Sequence, residues 1–184
     1  MLAYEGPAYR RAILSLDDAI EELSPAGGGV ERLDPLRARV RPSPGSRALR
    51  LEMTREGKIF GGNYGLEIST DEPVLARTRG LSMRAKGVVR QQGFRLRAKR
   101  GDEAGTELAE RLAGDARLAE ALGRVDFERL RIEPDGRPVI RHLGGSVVWV
   151  LFPPLVRRIP LVPEQARATL EALDAFAAAG GTAS

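Results

Sequence analysis

The sequence predicts an α+β fold: a mainly antiparallel sheet of at least six strands, with an N-terminal helix, a central helix or helix pair, and a C-terminal helix. Three observations lead there. Strand-like alternation is gathered into two runs, Leu36 to Arg100 and Leu130 to Phe152, instead of alternating singly with helices, which is the α+β pattern. Helical spacing occupies the stretches before, between and after those runs. The connections between successive strands are short and rich in Gly, Pro and Asn, too short for the crossovers that parallel strands require. The chain has 184 residues, 42% hydrophobic and 29% charged, the composition of a globular protein. At that size roughly 70% of the unfolded surface can be buried, enough for a core without metals or disulfides. A single domain over 1–184 is expected, with 101–105 as the place for a subdivision if one exists.

Tyr9, Ile13, Leu16, Ile20 and Leu23 recur at spacings of three and four and place a helix over Tyr9 to Leu23, with Asp17, Asp18, Glu21 and Glu22 on its wet side. Ser24-Pro25 ends it, since the residue before proline is pushed out of the helical region. Ala26 to Gly29 reads as a connector, and no lysine and hydroxyl follow its glycines as a phosphate-binding loop would need. Leu36 to Val40 and Ala48 to Met53 read as strands, Gly61-Gly62-Asn63 as a turn, and Tyr64, Leu66 and Ile68 as the next strand. Leu81 to Val89 and Phe94 to Arg100 follow as a pair around Gln91-Gln92-Gly93. Helical spacing from Thr106 to Val125 is divided at Gly114-Asp115, where Asp115 suits a second N-cap. Strands at Leu130 to Ile132 and Val139 to Arg141 flank the turn Pro134-Asp135-Gly136. Ser146 to Phe152 is apolar on both faces and is expected to be covered on both. A proline-punctuated bridge, Leu155 to Val162, leads to a helix starting at Pro163, a favoured first-turn residue, and closing at Gly180-Gly181. Ala166, Leu170, Leu173 and Ala177 form its buried stripe.

Cysteine is absent and His142 is the sole histidine. Disulfides, thiolate metal sites, cysteine nucleophiles and His-pair metal sites within one chain are thereby excluded, and no cofactor or metal site is predicted. The N-terminus lacks the long apolar core of a secretory signal, and the apolar run Val147 to Val156 is too short to span a bilayer. A cytoplasmic protein is the expectation. Arginine outnumbers lysine 26 to three, which fits a high-GC bacterial genome as well as bidentate recognition of phosphate or carboxylate.

The net charge of +4 is unevenly placed: residues 73–100 carry nine cations and no acid. By strand parity Arg84, Lys86, Arg95, Arg97 and Lys99 share one sheet face, a candidate anion-binding surface for nucleic acid or another polyanion. Aromatic interleaving is missing, and acids on neighbouring helices could neutralise the face, which makes an ordinary solvated hairpin the simpler reading. Trp149 and Phe152, in the run that ends at Arg157-Arg158, are a candidate surface for an apolar ligand, a partner or a membrane interface, against burial in the core. His142 is the one base near neutral pH, with Ser146 four residues on and Glu133 and Asp135 across the hairpin turn, yet the surroundings form no nucleophile elbow. The expectation there is a histidine at the end of an exposed hairpin strand. Adjacent acids such as Asp17-Asp18 point about 100° apart on a helix and do not share a proton.

Because a large core is supported while chemistry is scarce, the sequence favours a non-catalytic domain that binds a protein partner, including a second copy of itself, or a small apolar ligand. Two alternatives stand beside it: polyanion binding through 73–100, and a hydrolase or transferase that uses His142 with carboxylates.

Overall fold

A computed structural model describes residues 5–24, 28–84 and 96–181, with backbone alone at Glu5, Arg84 and Gly181. In chain order the elements are α1 (Glu5–Leu23), β1 (Gly29–Asp34), β2 (Arg37–Arg41), β3 (Leu49–Lys58), β4 (Gly61–Thr70), β5 (Leu81–Arg84), β6 (Arg97–Ala98), α2 (Glu103–Ala113), α3 (Ala116–Leu122), β7 (Phe127–Ile132), β8 (Pro138–His142), β9 (Ser146–Val150), β10 (Leu155–Ile159) and α4 (Pro163–Gly181). The α+β class holds, and the strands form one antiparallel sheet.

The sheet is organised about β3 and β4, a hairpin in unbroken register from Leu49↔Thr70 to Lys58↔Gly61. The far edge of β4 takes two strands end to end. β8 pairs with Glu67, Ile68 and Ser69, and β9 pairs with Gly61 to Tyr64. Leu143-Gly144-Gly145 separates the two, so β8 and β9 form one line with a three-residue interruption. Gly145 has φ of +71°, and a Cβ there would lie 2.5 Å from Leu66 Cδ2, so the interruption requires a residue without a side chain. Outward from these strands, β7, β5 and β6 continue beyond β8, β10 pairs with β9, and β2 and β1 extend the other side. The β5–β7 pairing carries the sheet across 101–105.

Alternation then sorts the side chains. Leu49, Leu51 and Met53 of β3, Tyr64, Leu66 and Ile68 of β4, Leu130 and Ile132 of β7, and Ile140 of β8 are buried on one face. That face is covered by α1, which packs on β3, β4, β9 and β10, and by α4 beside it. The residues of α1 that are fully buried are Ala8, Ala12, Leu16, Ala19 and Leu23, while Tyr9, Ile13 and Ile20 are only half-buried. The stripe lies about one residue from the one that large side chains suggest, because alanines let the helix axis approach the sheet. In α4 the same occurs: Ala166, Ala172, Leu173 and Phe176 are buried, and Leu170 is not fully so. The central helical stretch does divide, with Asp115 accepting from Leu118 N at 2.9 Å as the cap of α3.

Several expectations are corrected. Gly61-Gly62-Asn63 is not a turn but the start of β4; Ile59-Phe60 make the turn. Gly62 is in a strand because the Trp149 ring lies on it, 2.4 Å from where a Cβ would stand. β1 takes Gly29 from the expected connector and residues 30–34, for which no element is predicted, and β10 arises from the expected bridge. Both are edge strands with almost wholly exposed side chains, so no apolar alternation marked them. The apolar strand Ser146 to Phe152 is covered on one face only: Val147 and Trp149 are buried, whereas Val148 is exposed. Of the strands expected over 81–89 and 94–100, the stretch 85–95 lies outside the described residues.

Candidate functional site

The sheet face away from α1 and α4 is lined with charge. Register places Arg37, Glu52, Glu67, Arg141 and Arg129 in one row across β2, β3, β4, β8 and β7. Like charges stand directly opposite at Glu52↔Glu67 and at Arg141↔Arg129, and again at Arg39↔Arg50, an arrangement that is unfavourable taken alone. The side chains resolve it by reaching diagonally. Arg131 grips Glu67 with both ends of its guanidinium, at 2.9 and 2.8 Å, and donates through Nε to Glu133 at 2.5 Å. Asp71 sits between Arg39 and Arg50, at 2.9 and 3.3 Å.

Arg141 is the centre of this face, and its side chain is only 2% exposed. It crosses β4 over Gly65, where a Cβ would stand 2.6 to 2.7 Å from Nη2, Cζ and Nε, so Gly65 is the gap that lets the guanidinium pass. Beyond it, Nη1 donates to Thr54 Oγ1 at 3.0 Å and meets Glu56 at 3.1 Å, while Nε donates to Glu128 at 3.1 Å and Nη2 to Asn63 Oδ1 at 3.4 Å. Burial pushes the Glu67 carboxyl up, but the Arg131 hydrogen bonds and the two guanidiniums outweigh it and hold the pKa below its ordinary value. Arg131 is raised in turn, chiefly by its hydrogen bonds to Glu67. A depression of about 150 Å³ lies over this face, and its arginines are engaged: Arg50 with Asp71, Arg131 with Glu67 and Glu133, Arg137 with Asp135. The arginine-rich composition here recognises the protein's own carboxylates.

Of the candidate anion-binding residues, Arg97 falls at the margin of the same face. Ser82 opposes both Arg97 and Arg131, so Arg97 continues the open face outward, and Arg97 and Lys99 are exposed. Lys86 and Arg95 lie outside the described residues, as does the side chain of Arg84. The acids expected to neutralise the segment are partly engaged elsewhere: Asp17 pairs with Arg32 at 2.7 Å and Asp18 with Arg158 at 2.8 Å, tying α1 to β1 and β10.

His142 is on the opposite, helix-covered face and is 1% exposed, not at the end of an exposed strand as expected. β8 is buried on both sides, by α4 over His142 and by the ion-paired side chains around Arg141 on the open face, relations that local sequence does not express. Thr169 Oγ1 of α4 is 3.2 Å from Nε2, and the Ser146 hydroxyl donates to the backbone carbonyls of Leu143 and His142, not to the imidazole. Desolvation pushes the His142 pKa down to about 4. A neutral histidine held below its unfolded value of 6.5 contributes stability above pH 6.5 and loses it as pH falls toward 4. By pH 5 the loss is expected to be about 2 kcal/mol. Urea unfolding at pH 7.5 and pH 5, compared between the wild type and His142→Gln, measures it; equal pH dependence in both proteins would refute it.

Apolar side chains gather at one end of the sheet. Ile59 and Phe60, in the β3–β4 turn, are 86% and 69% exposed, and Phe152, in the β9–β10 turn, is 80% exposed. The two turns are joined by Leu151 N donating to Phe60 O at 3.0 Å. Beside them lies a groove of about 620 Å³, lined by residues of the β3–β4 turn and by Val148, Trp149 and Val150. The structure separates the two candidate residues here. Phe152 faces solvent, while the Trp149 ring is 3% exposed on the helix-covered side, 5.4 Å from the Tyr64 ring and 5.9 Å from the Arg55 Cζ. Ile59 and Phe60 were not singled out in the sequence, where they stood as two apolar residues before a glycine pair; only the β4–β9 pairing brings them to Phe152.

Among the described residues no group of three or more His, Asp or Glu side chains could hold a metal ion, and no helix is long and apolar enough to cross a membrane. Residues 21–179 match the model of the family DUF3156, described as "Protein of unknown function". No curated protein and no solved structure matches the chain.

Proposed function

We propose, from the premise that this chain belongs to the DUF3156 family, that it is a binding domain whose apolar ligand or partner contacts the corner made by the β3–β4 and β9–β10 turns. The observation that carries this is the meeting of Ile59, Phe60 and Phe152, each more than two-thirds exposed, beside the 620 Å³ groove. Large apolar side chains gathered on a convex corner gain free energy only when something removes them from water. The charged groups elsewhere favour a non-catalytic reading. The open face holds its arginines against its own carboxylates, and His142 touches Thr169 and not an acid.

The test uses anilinonaphthalenesulfonate and the fluorescence of Trp149, the single tryptophan of the chain, which is among the residues lining the groove. The dye is expected to bind and to take energy from Trp149, and the Phe60→Ser, Phe152→Ser double variant is expected to weaken its binding at least about tenfold. Undiminished dye binding in the folded double variant would overturn the proposal.

A further inference from the structure

We infer that the apolar corner docks on an anionic lipid surface, with the two turns entering the headgroup and acyl boundary. This rests on the reading that the corner binds something apolar and names what covers it. Two observations select a bilayer surface over other occupants.

The first is charge. Residues 55–64 and 146–159, which build the corner, contain Arg55, Lys58, Arg157 and Arg158 against a single acid, Glu56. Glu56 is turned to Arg141 and Arg129, at 3.1 and 3.5 Å, and Arg158 is paired with Asp18. Lys58 and Arg157 are exposed and have no ion-pair partner among the described residues. They stand at the two sides of the apolar tips: Lys58 directly precedes Ile59, and Arg157 opposes Val148 on β10. Apolar tips flanked by two cations match the profile of an anionic interface, which offers acyl chains beneath a negative surface.

The second is the shape of the apolar surface. Its most exposed members project from turn tips at the end of the sheet, where a wedge enters a boundary, and do not line the open β10 edge where a strand of another chain would pair. That edge is also partly closed, because Arg11 of α1 donates to the Val156 carbonyl.

The experiment is co-sedimentation of the full chain with vesicles of phosphatidylcholine alone and of phosphatidylcholine with phosphatidylglycerol, at low and high salt. Binding is expected to the anionic vesicles and to weaken with salt, as exposed charges are screened. Lys58→Gln with Arg157→Gln is expected to weaken it about fivefold per cation, and Phe60→Ser with Phe152→Ser at least about tenfold per residue. Since all four side chains are exposed, the melting temperatures should be unchanged. A measurement on the unaltered chain stands beside these: brominated acyl chains should quench Trp149. Equal binding by the folded serine variant, or binding to both vesicle types alike, would overturn the inference. So would absence of vesicle binding, and the dye titration then separates two cases. Dye bound at the corner without vesicle binding leaves an apolar ligand or a protein partner there, whereas neither would remove the binding reading as well.

Discussion

Replacing Arg141 by methionine is expected to lower the unfolding free energy by about 3 to 5 kcal/mol, the cost of removing one partner from a buried ion network. The reason is what would remain. Glu56, Glu67 and Glu128 all meet the guanidinium, and the Glu67 side chain is only 8% exposed, so its charge would keep Arg131 but lose its second cation. Methionine has a similar length and no charge, so it fills the passage over Gly65 without satisfying Thr54, Glu56 or Glu128. The double variant Arg141→Met, Glu67→Gln is expected to recover part of the loss, because it removes one of the three carboxylates that the guanidinium neutralised. Urea unfolding of the two single variants and the double variant measures the coupling. A loss below about 1 kcal/mol for Arg141→Met would mean that water solvates this face as well as the guanidinium does. Acid should have a related effect. Glu67 has a folded pKa below its ordinary value, so its contribution is present above that value and is lost as pH falls through the folded one.

Trp149→Ala is expected to cost about 3 to 5 kcal/mol, the range for truncating a buried aromatic side chain. The ring lies on Gly62 and beside Tyr64, whose ring also meets Tyr9 of α1 at 6.4 Å. Removing it opens a cavity between the β4–β9 ladder and α1 that glycine at 62 cannot fill. Thermal unfolding of the variant measures the loss, and an unchanged melting temperature would place the ring outside the core. Since the same residue carries the fluorescence used to probe the corner, its burial also explains why a ligand there would be sensed through the groove wall and not by direct stacking.

Local sequence was sufficient for elements whose pattern is enforced by their own burial. The helix division at Asp115, the Pro134-Asp135-Gly136 turn and the strands around Leu51, Ile68 and Leu130 are set by capping, by turn conformation and by an apolar face repeating every second residue. It was insufficient where neighbours decide. β1 and β10 have no apolar face to show, and their strand character comes from backbone hydrogen bonding to β2 and β9. Gly61 and Gly62 read as a turn because glycine tolerates one, while the cause of those glycines is the approach of Trp149 from another strand.

The candidate sites divide in the same way. The sequence determined that this chain has no thiol chemistry, a single histidine, an arginine-rich composition and one short apolar run ending in cations. Only the tertiary structure decided that His142 is sealed beneath α4, that Arg141, Arg131 and Glu67 from three strands neutralise one another across an open face, and that Ile59 and Phe60 meet Phe152. Charge and apolarity are properties of residues and can be read one at a time. Burial and pairing are properties of the register between strands distant in sequence, and a shift of one residue in that register would exchange every buried side chain for an exposed one.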